Sequence, residues 1–276
     1  MGCGASRYEP NKECDVMALA AIRSLWLREM KRFYRQRSRV IGASAQPIFF
    51  WILLGTGFWN SFRLPSGDPT VRYIEYLFPG MVILTLLFTA IFATISIIED
   101  RKEGFLQSVL IAPIPRSVIV LGNVFGATTL AVGQSFILLM LAPLVGISYS
   151  LTSIVLIIGL LLCVALALSS LGFIIAWRMD STQGFHAIMN LLLIPLWLLS
   201  GAFFPMEGVP AWLATVMRFN PLSYAMSALR QCLYFDAASP TISTASLPVS
   251  FLVTIAFAAL MITVANWVAA RNTKIS

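Results

Sequence analysis

The chain has 276 residues, of which 58% are apolar and 11% are charged, and its formal net charge is +7. Soluble domains usually contain about 45–50% apolar and about 25% charged residues, so this composition excludes an ordinary soluble protein and indicates a membrane protein. We interpret the excess of basic residues as a signal of membrane orientation and not of nucleic-acid binding.

Residues 1–16 are predicted to be a disordered leader, with Met17 as an alternative start. The first six residues formally match a myristoylation pattern followed by a palmitoylatable Cys3, but so short a pattern is easily matched, and the plain leader is preferred. No cleavable signal peptide is expected, because the first apolar run begins only near residue 40. The four cysteines form no C-x-x-C motif, so neither a disulfide framework nor a metal site is predicted.

Residues 17–39 are predicted to form a cytoplasmic amphipathic helix. Its apolar residues recur every three or four positions and are Leu19, Ile22, Trp26, Met30 and Phe33. Basic residues occupy the other sides. This pattern suits a helix that lies along an anionic membrane surface. Packing against a soluble core is disfavoured, because the membrane spans leave almost no residues from which to build one.

Six apolar runs are each long enough to cross about 30 Å of hydrocarbon as a helix. They lie near residues 40–62, 77–98, 117–146, 151–177, 185–204 and 248–270. The predicted fold class is therefore all-α integral membrane, with six transmembrane helices forming one domain over residues 40–270 and a cytoplasmic tail at residues 271–276. If the N-terminus is cytoplasmic, 15 Lys and Arg residues fall inside and 4 outside. This bias places both termini in the cytoplasm.

Five consecutive charges at residues 99–103 separate the second run from the third. Charges are too costly in hydrocarbon to lie there, so this segment must reach water. Gly104 then precedes a helical repeat of apolar residues that Pro113 ends. The repeat consists of Phe105, Leu106, Val109 and Leu110. Two interpretations are open on this pattern alone: a short helix resting on the headgroups, or a docking surface for a soluble partner.

The third run contains two glycines four residues apart, Gly122 and Gly126, a spacing that lets two membrane helices approach closely. Gln134 lies deep in the same run and is more readily interpreted as an interhelical hydrogen-bonding residue than as part of a substrate path. His186, the single histidine, is interpreted as an interfacial side chain, with a proton relay as the less favoured alternative.

Residues 205–234 lie outside, yet they are too apolar for a free loop. Pro210 can begin one short helix, and Asn220 and Pro221 supply an N-cap and a first-turn proline for a second. We predict two short helices that enter the outer leaflet without crossing it.

The chain shows no pattern typical of an enzyme. It has no Gly-rich phosphate loop with Lys, no metal-ligand cluster and no nucleophile–His–acid set. The apolar runs also contain no carboxylate, which proton- or sodium-coupled transporters usually need. If the protein moves a substrate uphill, the energy must therefore come from a partner that acts through the cytoplasmic loops.

Three motifs give the chain a resemblance to a known family. They are Tyr76-Leu77-Phe78-Pro79-Gly80, the segment from Asp100-Arg101-x-x-Gly104-x-Leu106 to Pro113, and Phe219-Asn220-Pro221-Leu222-Ser223-Tyr224-Ala225 with Leu229-Arg230. Their order and spacing over residues 17–270 resemble the type-2 ATP-binding-cassette exporter permeases, which include daunorubicin, O-antigen and nodulation-factor exporters. Phe105 and Gln107 depart from the pattern, because the family often has Thr and Glu there.

The resemblance implies roles for three groups of residues. A coupling helix would dock the ATPase subunit through Glu99, Asp100, Arg101, Glu103, Gly104, Phe105, Leu106, Val109, Leu110 and Pro113. An outer re-entrant hairpin would involve Asn220, Pro221, Tyr224 and Arg230. By the same resemblance, residues 17–39 would be the interfacial helix. Helix packing at Gly122, Gly126 and Gln134 is expected from the residue pattern alone.

The function implied is that of a permease subunit in the plasma (bacterial inner) membrane. It would work as a pair with two separate ATPase subunits that hold ATP and Mg²⁺, while this chain itself would bind no cofactor and catalyse no reaction. The expected substrate is an amphipathic or lipid-like molecule such as a drug, a lipid or a lipid-linked glycan. The alternative from another class is a membrane scaffold that does not transport, or a lipid-processing membrane enzyme.

Overall fold

The computed structural model describes residues 10–35, 37–57, 72–111, 115–147, 150–206, 209–234 and 245–271, and most of these residues are helical. The helices are α1 (Pro10–Arg35), α2 (Arg37–Gly57), α3 (Tyr73–Ala93), α4 (Ser96–Lys102), α5 (Phe105–Ile111), α6 (Arg116–Leu139), α7 (Leu151–Ala176), α8 (Thr182–Trp197), α9 (Ala211–Phe219), α10 (Pro221–Leu233) and α11 (Leu247–Arg271). The all-α fold class is confirmed.

Five helical segments are long and apolar enough to cross a membrane, and they correspond to the predicted second to sixth runs. They are Tyr73–Lys102, Arg116–Leu144, Leu151–Ala176, Thr182–Ala202 and Leu247–Arg271. The first predicted run, 40–62, coincides with most of α2, but residues 58–62 lie outside the described part. Within that part, the apolar stretch Ala45–Gly57 is shorter than a membrane span.

Helix α1 differs from its prediction in two ways. It begins at Pro10, seven residues before Met17, because proline and polar residues can form the first turns of a helix without an apolar repeat. The rest of the predicted leader, residues 1–9, lies outside the described residues. Among the side chains of α1 that the structure describes, those at 17–35, the buried ones are Leu25, Glu29 and Phe33. The helix packs on α6, so the bundle itself provides the core that the sequence analysis did not anticipate.

Helix α3 lies at the centre of the molecule and contacts α2, α6, α7, α8 and α10. Almost all its side chains are buried, including Leu77, Phe78 and Met81. Helix α11 packs along α7, α10 and α6, but most of its surface faces outward and carries exposed apolar side chains such as Leu252 and Leu260. A helix with such a surface is stable only against lipid or another apolar surface.

Candidate functional site

Helices α4 and α5 form a compact unit at one end of α3. Thr94 and Ile95 make a tight turn after α3, and Glu103 and Gly104 make a second turn between α4 and α5. Gly104 has φ +76°, a left-handed conformation in which a Cβ atom is strained. Its N–H also donates to the Arg101 carbonyl at 3.2 Å. The glycine of the motif therefore fixes the angle between the two short helices.

Asp100 joins this unit to α1. Its buried carboxylate accepts two hydrogen bonds from the Arg28 guanidinium, one to each oxygen, and a third from Arg32 at 2.9 Å. The Arg28 guanidinium also lies 3.6 Å from the centroid of the Phe105 ring, so one side chain of α1 contacts both α4 and α5. Paired, hydrogen-bonded geometry of this kind is what a buried carboxylate requires.

Arg101 points the other way and joins the unit to the turn between α7 and α8. Its guanidinium donates to the carbonyl oxygens of Trp177 and Met179, at 2.5 Å and 3.1 Å, and to the Asp180 carboxylate at 2.8 Å. Two of these acceptors are carbonyls of the turn that directly follows α7, which no helical N–H satisfies. Arg101 thus caps α7 immediately before α8 begins.

The resemblance implied that the apolar residues of α5 dock a partner, and the structure buries part of that apolar face within the bundle. Leu106 is only 4% exposed, and Val109 and Leu110 pack against the same core. Burial against the bundle removes more apolar surface from water than an open face would. The exposed side of α5 and the preceding turn is instead formed by Lys102, Glu103, Gln107, Ser108 and Ile111, while Pro113 lies outside the described residues.

Gly122 and Gly126 lie where α1 crosses α6. A Cβ atom at Gly122 would come within 2.7 Å of Leu25 Cβ, and one at Gly126 within 2.9 Å of Glu29 Cβ. The two glycines therefore allow α6 to lie close to α1. Gln134 is also buried, further along α6 toward its C-terminal end.

Glu29 is an unexpected acid in this contact. Its side chain is buried beside α6, and desolvation, with a further contribution from the nearby Asp100 carboxylate, raises its pKa to about 7. Burial disfavours the charged carboxylate, and the favourable interactions with Arg32 and the Ser96 hydroxyl offset this cost only in part. The protonation state of Glu29 therefore changes near neutral pH.

At the other end of α3, α8 continues past Trp197 as a π-helical turn, Leu198–Ala202, and this end of α8 is broken at Gly201, which has φ +82°. The break leaves carbonyl oxygens without helical partners. Two side chains donate hydrogen bonds to the Gly201 carbonyl oxygen: the Tyr76 hydroxyl at 2.9 Å and the Arg230 guanidinium at 2.7 Å. Arg230 also lies 4.1 Å from the centroid of the Tyr76 ring. No carboxylate pairs with this buried arginine in the part of the chain that the structure describes.

The predicted N-cap at Asn220 is confirmed, and the residue has a second role. Its carboxamide oxygen accepts from the Leu222 N–H at 3.0 Å, and its amide group donates to the Leu196 carbonyl of α8 at 2.7 Å. Ser223 adds bonds to the Met217 and Leu199 carbonyls at 2.6 Å and 3.1 Å. The predicted Pro221 is the first residue of α10, and Tyr224 is partly exposed on the same helix.

The Tyr-x-Phe-Pro-Gly segment of α3 completes this assembly. Pro79 cannot donate to the Glu75 carbonyl four residues earlier, and the Tyr234 hydroxyl donates to that carbonyl instead, at 3.0 Å. A Cβ at Gly80 would lie 3.0 Å from the Ala202 carbonyl oxygen, so only glycine allows α3 to approach the broken end of α8 this closely. Two motifs that are about 140 residues apart in sequence therefore meet at Gly201.

A cavity of about 460 Å³ opens between α1, α2, α3 and α8. Its walls include the rings of Phe33, Phe88 and Phe92, and polar groups at Gln46 and His186 also line it. The His186 ring lies 4.8 Å from that of Phe92. This volume falls within the range of about 300–1,000 Å³ that is usual for small-molecule sites.

Several residues of these sites were missed at the sequence level. Arg28 and Arg32 were interpreted only as a basic face, although their spacing of four places both on one side of the helix, where they can share one carboxylate. Trp197, which donates to the Gly80 carbonyl at 2.8 Å, gave no signal beyond apolarity. No group of His, Cys, Asp or Glu suited to a metal ion occurs among the described residues.

Comparison with known proteins gives a consistent result. The sequence profile described as ABC-2 type transporter matches residues 20–234. A putative transport permease ycf38 of Cyanophora paradoxa is 24% identical over 82% of this chain and 79% of its own length. Nodulation protein J of Rhizobium leguminosarum bv. trifolii is 28% identical over 69% and 72%, and the inner membrane transport permease YadH of Escherichia coli (strain K12) is 24% identical over 84% and 90%.

Proposed function

The chain belongs to the ABC-2 type transporter family, and from this premise we propose that it is the permease subunit of an ATP-driven exporter. In this proposal a separate ATPase subunit binds ATP and Mg²⁺ and acts on the permease through α4 and α5. The observation that carries the proposal is the α4–α5 unit, which is anchored to α1 by Asp100 and to the α7–α8 turn by Arg101, while its other side is exposed.

The docking surface is reassigned to the exposed side of the unit. Ile111 is 85% exposed, although burial of so large an apolar side chain would be energetically favourable. Gln107 and Ser108 lie beside it on the same helix. Glu103 is also exposed, with its carboxylate only 3.7 Å from Arg32. An apolar residue within a polar rim has the composition of a contact surface between proteins.

The proposed membrane arrangement has six spans, with α2 as the first and both termini in the cytoplasm. It is supported by the fifteen-to-four distribution of basic residues and by the five membrane-length segments. The interfacial helix would be α1, and α9 and α10 the outer re-entrant hairpin. A second copy is proposed to cover exposed apolar side chains of α2 and α8, such as Phe49 and Leu191. By analogy with the relative named an inner membrane permease, the location is a bacterial inner membrane.

The proposed substrate is amphipathic or lipid-like and leaves the cytoplasm or the inner leaflet. The cavity supports this choice, because aromatic walls suit an apolar body and the polar groups of Gln46, Thr89 and His186 suit a headgroup. One of the relatives is named a nodulation protein, but that name does not state a cargo for this chain.

The test is co-purification of a co-expressed P-loop ATPase with the permease. The double substitution Gln107→Arg and Ile111→Asp should abolish co-purification and leave the permease folded, because both side chains are exposed. Arg178→Ser, on the exposed neighbouring turn, serves as the matched control and should retain the ATPase. Leu106→Asp is expected instead to destabilise the permease itself, because that side chain is buried.

A complex that survives the double substitution on α5 would contradict the docking assignment. Binding of no P-loop ATPase by the unmodified chain would contradict the proposed function as a whole and favour a scaffold that does not transport.

A further inference from the structure

Two adjacent residues, Asp100 and Arg101, anchor the last turn of α4 to two different parts of the molecule. Asp100 accepts hydrogen bonds only from α1, and Arg101 donates only to the α7–α8 turn, within the described residues. Helix α1 precedes α2 in the chain, and the turn leads directly into α8. Asp100 therefore contacts α1, one of the helices that line the cavity, and Arg101 contacts the turn that leads into another of them, α8.

The geometry is suited to transmitting a displacement of α5. Gly104 joins α5 to α4 through a turn of only two residues. Because no long flexible loop separates the two helices, a displacement of α5 also displaces the last turn of α4. Arg28 reinforces the connection, because it binds the Asp100 carboxylate and covers the Phe105 ring at the same time.

The two anchors differ in chemistry. Asp100 is nearly fully buried and shares its two oxygens between two guanidinium groups, an arrangement that is rigid and costly to break. Arg101 holds two backbone carbonyls through its planar fork, which a lysine cannot reproduce. Its ion pair with Asp180 is exposed on the Asp180 side, at 87%, so the carboxylate adds little compared with the carbonyls.

We propose that Asp100 and Arg101 are positioning residues that divide the movement of α5 into two separable branches, one to α1 and one to α8. This inference rests on the proposed function, because it assigns an internal path to the coupling between the ATPase and the permease. In this arrangement neither residue touches the ATPase, although both belong to the charged segment that the sequence assigned to docking.

The experiment uses the assembled complex in lipid nanodiscs, with the native cysteines replaced by alanine. An environment-sensitive fluorophore is attached either to Ser24→Cys on α1 or to Gln183→Cys on α8, both exposed positions, and the response to ATP is recorded. Arg101→Gln should reduce the response at position 183 by about twofold to thirtyfold, the range found for residues that modulate coupling, and leave the response at position 24 intact. Asp100→Asn should do the reverse.

Two further variants separate coupling from folding. Arg101→Lys keeps the charge but loses the fork, so it should behave like Arg101→Gln, whereas Asp180→Asn should retain both responses. A purely structural role would reduce both responses together, or would release the ATPase, and either result would overturn the two-branch assignment. An Arg101→Gln complex that retains the full response at position 183 would also overturn it. If the unmodified chain binds no ATPase, the proposed function fails first.

Discussion

Replacing Asn220 tests whether the outer hairpin holds the broken end of α8. Asn220→Ala removes the cap of α10, which typically contributes about 1 kcal/mol. It also leaves the half-buried Leu196 carbonyl without its side-chain donor, a loss of about 1–3 kcal/mol. The two effects together predict that the hairpin is destabilised by about 2–4 kcal/mol relative to α8. Asn220→Ser retains a capping hydroxyl and should therefore lose only the second contribution.

Cys232 offers a direct assay of this opening, because its thiol is fully buried on α10. In a background with Cys232 as the single cysteine, maleimide should react only when the hairpin opens, at a rate that follows the population of the open form. Since about 1.4 kcal/mol corresponds to a factor of ten, Asn220→Ala should accelerate labelling by roughly a hundredfold, and Asn220→Ser by less.

Thr215→Ala is the matched control within the hairpin. The Thr215 hydroxyl bonds only the Ala211 carbonyl of its own helix and is exposed, so its loss should leave labelling almost unchanged. Co-purification of the ATPase should also be normal in Asn220→Ala, because α4 and α5 lie at the opposite end of α3. Equal labelling rates in Asn220→Ala and Thr215→Ala would refute the reasoning.

Three further predictions concern stability. Glu29→Gln should give a melting temperature that is nearly independent of pH. In the unmodified protein, the stabilisation by the neutral acid is fully present below about pH 4.5 and is lost as the pH rises through about 7. Thermal melts of both proteins at pH 5 and pH 8 measure this, and the same pH dependence in both would contradict the assigned burial. Gly126→Ala should destabilise the protein by about 1–3 kcal/mol through overpacking against Glu29, whereas Gly133→Ala, which meets open space, should be neutral or stabilising; the reverse order in thermal melts would refute the α1–α6 contact. Tyr76→Phe should cost only about 1 kcal/mol, because Arg230 still donates to the Gly201 carbonyl; a loss as large as that of Arg230→Met in the same assay would show that the hydroxyl is the principal donor.

Composition and periodicity were sufficient for the fold class and for most helix positions. Long apolar runs must be helical in lipid, because a helix satisfies its own backbone hydrogen bonds. Local chemistry was equally informative at the ends of helices. The N-cap at Asn220 and the start of α5 directly after Gly104 depend on one or two residues, and both are found where the sequence indicated.

Tertiary structure decided which side of each short helix faces the protein. The repeat of Phe105, Leu106, Val109 and Leu110 specifies an apolar face but not its partner. The bundle buries Leu106 and packs against Val109 and Leu110. The pairing of charges was likewise hidden, because Arg28 and Asp100 are 72 positions apart.

The clearest case is Gly201, which no local pattern marks as a break. Its carbonyl becomes a meeting point only because Tyr76 and Arg230, 125 and 29 positions away, reach it in the folded chain. A sequence can show which groups need hydrogen-bond partners, but long-range packing determines which partners come within reach.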